Sequence, residues 1–120
     1  MEIYRKKVND IRVYRIFGKL NSQNAVDLEK QLMSDIDRGT RSMVLDCRSI
    51  DYISSDGFRV ILKTVERLKQ GGEGQLVLCG LKDYIEEVFE VAGFDRMLSI
   101  AASREDALNV FSKRKESTDV

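Results

Sequence analysis

The stretch that decides the fold is Ser42 to Leu62, SMVLDCRSIDYISSDGFRVIL. Met43-Val44-Leu45 is an apolar run too short for a helix and suited to a strand buried on both faces. A polar connection, Asp46 to Asp51, separates it from Tyr52-Ile53. Ser54-Ser55-Asp56-Gly57 follows, and then Phe58, Ile61, Val65 and Leu68 recur at helical spacing. A Ser/Ser/Asp/Gly turn therefore sits where a buried strand segment hands over to an amphipathic helix. Open α/β sheets place their functional groups at such junctions.

The first N–H groups of a helix lack intrahelical partners, and a cap hydroxyl from Ser54 or Ser55 would satisfy one of them. The same helix end carries partial positive charge and tolerates an added anion. A phosphate there would bring roughly −1.5 to −2 charges beside Asp51 and Asp56, which is repulsive and alters what a partner meets. Gly57, lacking a side chain, would let another protein approach the backbone. Local physics allows both an ordinary N-cap and a modified hydroxyl.

Leu45-Asp46 and the segment Ile50-Asp51-Tyr52-Ile53-Ser54-Ser55-Asp56-Gly57-Phe58-Arg59-Val60-Ile61-Leu62 resemble the central motif of STAS domains. That family includes bacterial anti-sigma-factor antagonists, and its domains occur in sulfate transporters and stress-signalling assemblies. The resemblance places the phosphoacceptor at Ser55. Ser54 stands where the family often has Asp, Asp56 where it has a small residue, and Phe58 where it has Leu. Gly18-Lys19-Leu20-Asn21 resembles the family's Gly-x-Leu/Ile-Asp loop near the phosphoacceptor, with Asn21 replacing the Asp. The pattern extends over about residues 3 to 111 and includes Val91-Ala92-Gly93-Phe94.

Outward from this centre, 2–8 and 11–17 read as two strands around Asn9-Asp10, close enough in sequence to pair antiparallel. Gly18 to Ser22 reads as a loop in which Asn21 or Ser22 caps a helix carrying Ala25, Leu28, Leu32 and Ile36 and ending at Gly39. Gly71 to Gly74 is a turn, because phosphate-binding glycine loops follow a strand and precede a helix, the reverse of the order here. Gln75 to Cys79 is a short strand. Leu81 to Ala92 is a helix with Ile85, Val88, Phe89 and Ala92 on one side, closed by Gly93. Met97 to Ile100 is an edge strand, and Ser103 caps a last helix with Ala107, Val110 and Phe111 inward. These elements give an α/β domain, residues 1–112, with a mixed four- to five-stranded sheet, an N-terminal antiparallel hairpin and about four helices. Residues 113–120 form a polar tail.

Composition narrows the function. A chain of 120 residues, 42% hydrophobic, holds one domain with a real core. Twenty basic and twenty acidic residues cancel, so no global field favours nucleic acid or an anionic membrane. No run is long enough to span a bilayer and the N-terminus lacks a signal-peptide segment, so a cytoplasmic location is expected. Cys47 and Cys79 match no metal spacing and read as reduced thiols. Without histidine, no Ser-His or Cys-His nucleophile pair exists and the common zinc sites lack their usual ligands. No cofactor and no catalytic residues are expected.

The resemblance implies an anti-sigma factor antagonist that binds an anti-sigma factor serine kinase when unphosphorylated, displaces a sigma factor, and is released by phosphorylation at Ser55. A phosphatase resets it. The contact surface would comprise Asn21, Ser54, Asp56 and Gly57 with Arg59, Lys63 and Glu66 on the following helix. The alternative keeps the fold as an unphosphorylated STAS scaffold in a signalling or transport complex. A response-regulator domain is excluded by the opening hairpin and the absence of an adjacent acidic pair after the first strand.

Overall fold

The computed structural model describes residues 2–118, apart from the side chains of 95 and 113–118. Strands β1 (Glu2–Val8) and β2 (Ile11–Leu20) form the opening antiparallel hairpin, turned by Asn9 in the left-handed region at φ 56°. Helix α1 (Ala25–Asp37), strands β3 (Ser42–Asp46) and β4 (Ile50–Ile53), and helix α2 (Ser55–Gln70) follow. The chain continues through β5 (Gln75–Cys79), α3 (Asp83–Val91), a 3₁₀ turn (Phe94–Arg96), β6 (Ser99–Ala101) and α4 (Arg104–Thr118).

The sheet runs β1-β2-β3-β5-β6, antiparallel at the hairpin and parallel elsewhere, with β4 paired to β2 off the main path. It has six strands, more than the four or five expected, because β2 does not stop at Phe17. Gly18 sits at φ 99° and the register shifts between it and Lys19. Such a bulge bends the strand. Ile11 to Arg15 therefore pair with β3, while Gly18 to Leu20 peel away and pair with β4. β3 and β4 follow one another without a helix, yet each pairs with β2.

Helices α1, α2 and α3 bury one face of the sheet, with Tyr14, Ile16, Leu45 and Leu78 meeting Leu28, Leu32, Ile61, Leu68 and Phe89. Helix α4 covers Val13, Val44, Val77 and Cys79 on the other through Ala107 and Phe111. Cys47 belongs to the first core and Cys79 to the second; both are free and buried. Burial pushes both thiols up, Cys79 to about 11.

Two buried carboxylates tie helices to strands. Asp35 on α1 accepts from Arg5 Nη1 at 2.9 and 3.1 Å and from the Tyr14 hydroxyl. Burial first, and then this carboxylate, hold the Tyr14 phenol above its ordinary range. Asp46 at the end of β3 pairs with Arg104 of α4 at 3.0 Å and Arg48 at 3.2 Å. Both acids thus have charged, hydrogen-bonded partners, as burial requires.

Several expected details shift. Helix α3 buries Ile85 and Phe89, but Val88 is 51% exposed and Ala92 also faces outward. Phe94 of the 3₁₀ turn packs in their place against Phe58 and Phe89. The last strand begins at Ser99, since Met97 closes the 3₁₀ turn. Helix α4 begins as expected, with the Asp106 amide donating to Ser103 Oγ at 3.1 Å. Its backbone continues to Thr118, across the boundary expected at 112; the rest of the expected 113–120 tail lies outside the described residues.

Candidate functional site

The site forms where β2 and β4 end side by side. Leu20 and Ile53 are register partners, and the Ser54 amide donates to the Leu20 carbonyl at 2.8 Å. The loop after β2 and the start of α2 are thereby held together at the C-terminal end of two parallel strands.

The two serines separate cleanly. Ser54 is the N-cap of α2: its backbone is extended and its Oγ accepts from the Gly57 amide at 3.2 Å. Ser55 is the first helical residue and is exposed. Among the described residues no group hydrogen-bonds its hydroxyl. The capping duty lies with one serine and leaves the other's oxygen open to solvent at the positive end of a 16-residue helix.

Gly57 does not serve the purpose expected of it. It is buried, and a Cβ there would lie 2.9 Å from Ile53 Cγ2 and 2.9 Å from Leu20 Cδ2. The missing side chain lets α2 pack against β2 and β4, not a partner against α2. Asn21 also has a local task. Its Oδ1 accepts from the Gln23 and Asn24 amides at 3.0 and 3.1 Å, while Asn24 Oδ1 accepts from the Asn21 amide at 2.8 Å. This reciprocal pair shapes the turn entering α1, whose cap position is Asn24 rather than Asn21 or Ser22.

The acids flanking the serines are both neutralised. Asp56 forms an ion pair with Arg59 one turn along. Asp51 pairs with Lys82 Nζ at 2.8 Å, and that ammonium also donates to the Ile50 carbonyl at 3.1 Å. The hydrogen bond from Lys82, and then its charge, hold the Asp51 carboxyl below its ordinary range. Tyr84 donates to the Asp51 carbonyl and completes the anchor from α3 to β4. Lys63 pairs with Glu29 of α1 at 3.4 Å.

Ser55, Phe58, Arg59, Leu62, Lys63, Glu66 and Phe94 line an open groove of about 700 Å³ along α2. The structure thus gathers Ser55, Arg59, Lys63 and Glu66 on one surface, places Asp56 around the helix in a neighbouring groove with Ser22, and turns Gly57 inward. Lys82, Tyr84 and Phe94 complete the surroundings. Only Phe94 carried a sequence signal, as the apolar residue after a helix-ending glycine.

A hairpin-led mixed sheet with an open serine at the start of its central helix defines the class. The STAS domain family model matches residues 2–107, and the chain belongs to that family. Within it, the chain is 41% identical over 111 residues to the Bordetella bronchiseptica protein described as anti-sigma factor antagonist BtrV, covering 92% of this chain and 95% of that one. Among solved structures, a Thermotoga maritima protein described as an anti-sigma factor antagonist has the same fold, with a TM-score of 0.84 at 21% identity over 89% of this chain and 92% of the other. So does the Bacillus cell fate determinant SpoIIAA in its phosphorylated form, with a TM-score of 0.73 at 18% identity over 92% and 99%. No helix among the described residues is long and apolar enough to cross a membrane.

Proposed function

We propose that this protein is an anti-sigma factor antagonist switched by phosphorylation of Ser55. The observation that carries the reading is the division of labour at the start of α2: Ser54 caps, so the Ser55 hydroxyl is exposed and has no structural task. Unphosphorylated, the protein docks through Ser55 and the groove along α2, with Arg59, Lys63 and Glu66 at its polar margin and Phe58, Leu62 and Phe94 supplying apolar contact. Asn21, Ser54 and Asp56 flank this surface. The partner is an anti-sigma factor that is also a serine kinase, and the antagonist's docking frees the sigma factor. The 41% identity to a protein described as an anti-sigma factor antagonist supports that choice of partner.

In the switching step, the Ser55 oxygen bonds to the γ-phosphorus of ATP and the bond from that phosphorus to the bridging oxygen of ADP breaks. The hydroxyl proton passes to a base of the kinase. The chain is a cytoplasmic substrate in this scheme, and nucleotide and catalytic groups belong to the partner. A phosphate set into the interface brings roughly −1.5 to −2 charges that the partner must desolvate, so the complex separates. A phosphatase restores the hydroxyl.

The test is incubation with the anti-sigma kinase of the same organism and ATP, read by intact mass. A gain of about 80 Da, the mass of one added phosphoryl group, is expected, and Ser55→Ala abolishes it. Absence of any gain in a complex that still forms would favour a constitutive scaffold.

A further inference from the structure

We propose that Arg59 is the internal receiver of the phosphoryl group on Ser55: it leaves the Asp56 carboxylate for the phosphate and so withdraws from the docking surface when the protein is modified. This rests on the reading of Ser55 as the phosphoacceptor. Ser55 and Arg59 are four residues apart on α2, a spacing that puts two side chains on one helix face within reach of each other. Arg59 and Lys63 both line the groove that contains Ser55 and the adjacent one that contains Asp56, but of the two only Arg59 lies about one helical turn from Ser55. About one helical turn separates Arg59 from Asp56, the anion it already pairs with, and from Ser55, where a second would appear.

The competition favours the newcomer. The Arg59 side chain is 73% exposed, and its ion-pair partner among the described residues is Asp56. An exposed pair of this kind holds its members weakly. A phosphate offers about twice the charge of a carboxylate and three acceptor oxygens, which the guanidinium fork meets with two parallel hydrogen bonds.

The other charged groups around the groove are less suited to the task. Lys63 lies eight positions beyond Ser55, about 12 Å along the helix axis, Lys82 is held by Asp51 and the Ile50 carbonyl, and Glu66 has the wrong sign. Phe58, Leu62 and Phe94 contribute no charge. Phosphorylation on this account both adds an anion and removes a cation from the surface offered to a partner. A glutamate at position 55, with a single carboxylate, would reproduce this only in part.

The experiment uses the full chain with phosphoserine installed at position 55 by genetic encoding, so no kinase is needed. The second ionisation of the phosphate is followed by ³¹P NMR in the parent and in Arg59→Gln, Arg59→Lys and Lys63→Gln. A cation close to the phosphate favours its dianion, so Arg59→Gln should raise the midpoint by about half a unit or more. Arg59→Lys should recover part of that change, and Lys63→Gln should leave the midpoint nearly in place. Coincident midpoints for the parent and Arg59→Gln, or a larger change in Lys63→Gln than in Arg59→Gln, would overturn the assignment. Thermal midpoints of the unmodified variants establish that each is folded. A chain that no kinase modifies would undercut the proposed function while leaving this titration valid, and coincident midpoints would overturn the role of Arg59 while leaving the kinase assay intact.

Discussion

Replacing each of the two serines by alanine separates structure from signalling at a single helix turn. Ser54→Ala removes the acceptor that meets the Gly57 amide at 3.2 Å, leaving that partly buried N–H without its side-chain partner. Loss of an N-cap of this type costs about 1 kcal/mol, with a range of roughly 0.5–2. A chain of 120 residues has an unfolding entropy of roughly 0.25 kcal/mol/K near its melting temperature, so the expected fall is about 4 °C. Ser55→Ala removes an exposed hydroxyl without a partner and substitutes a better helix former, so its stability should stay within about 0.5 kcal/mol of the parent. Calorimetry or urea melts followed by circular dichroism measure both. A fall for Ser55→Ala as large as that for Ser54→Ala would show that position 55 holds the helix together. The division on which the functional reading rests would then be lost.

Other consequences follow from neighbouring contacts. Gly57→Ala forces a methyl to within 2.9 Å of Ile53 and Leu20; overpacking of about 1–3 kcal/mol, partly offset by better helix propensity, should leave a net loss in a urea melt. A more stable variant would show that α2 is not seated on that glycine. The lowered Asp51 carboxyl contributes stability that is present above its unfolded-state value and disappears as pH falls through its folded one. An NMR titration should therefore find Asp51 below the ordinary carboxylate range in the parent and returned to it in Lys82→Met; unchanged midpoints would discount the pair. With Cys79 raised to about 11 and Cys47 buried beside it, neither thiol should react with a disulfide reagent at pH 8 until the chain is unfolded. Rapid native labelling would contradict their burial.

Much of this architecture is legible from short-range pattern. The apolar runs at Met43 to Leu45 and Leu76 to Leu78, the stripe through Leu28, Leu32 and Ile36, and the left-handed Gly93 each carry a local signature that the structure keeps. The extension of β2 through Gly18 to Leu20 does not. Gly-Lys-Leu, opening on a glycine, carries little strand signal, and it is extended because β4 lies alongside it, a partner more than thirty residues away. Gly57 is ambiguous in sequence for a related reason: a glycine at a helix start has the same local preferences whether it faces a partner or the Leu20 and Ile53 side chains. Val88 matches the helical period but lies beyond the arc that α3 buries, and Phe94 fills the space instead. At the site, cap propensity alone left Ser54 and Ser55 equivalent. The hydrogen bond from Ser54 to the Leu20 strand end fixed which of them begins the helix.

The most direct test of the central claim is the affinity of the cognate anti-sigma factor for this chain carrying either serine or phosphoserine at position 55, measured by titration calorimetry at one salt concentration. The account predicts at least a tenfold loss of affinity in the phosphorylated chain, about 1.4 kcal/mol, with no comparable loss of fold stability. Equal affinities for the two forms would contradict it.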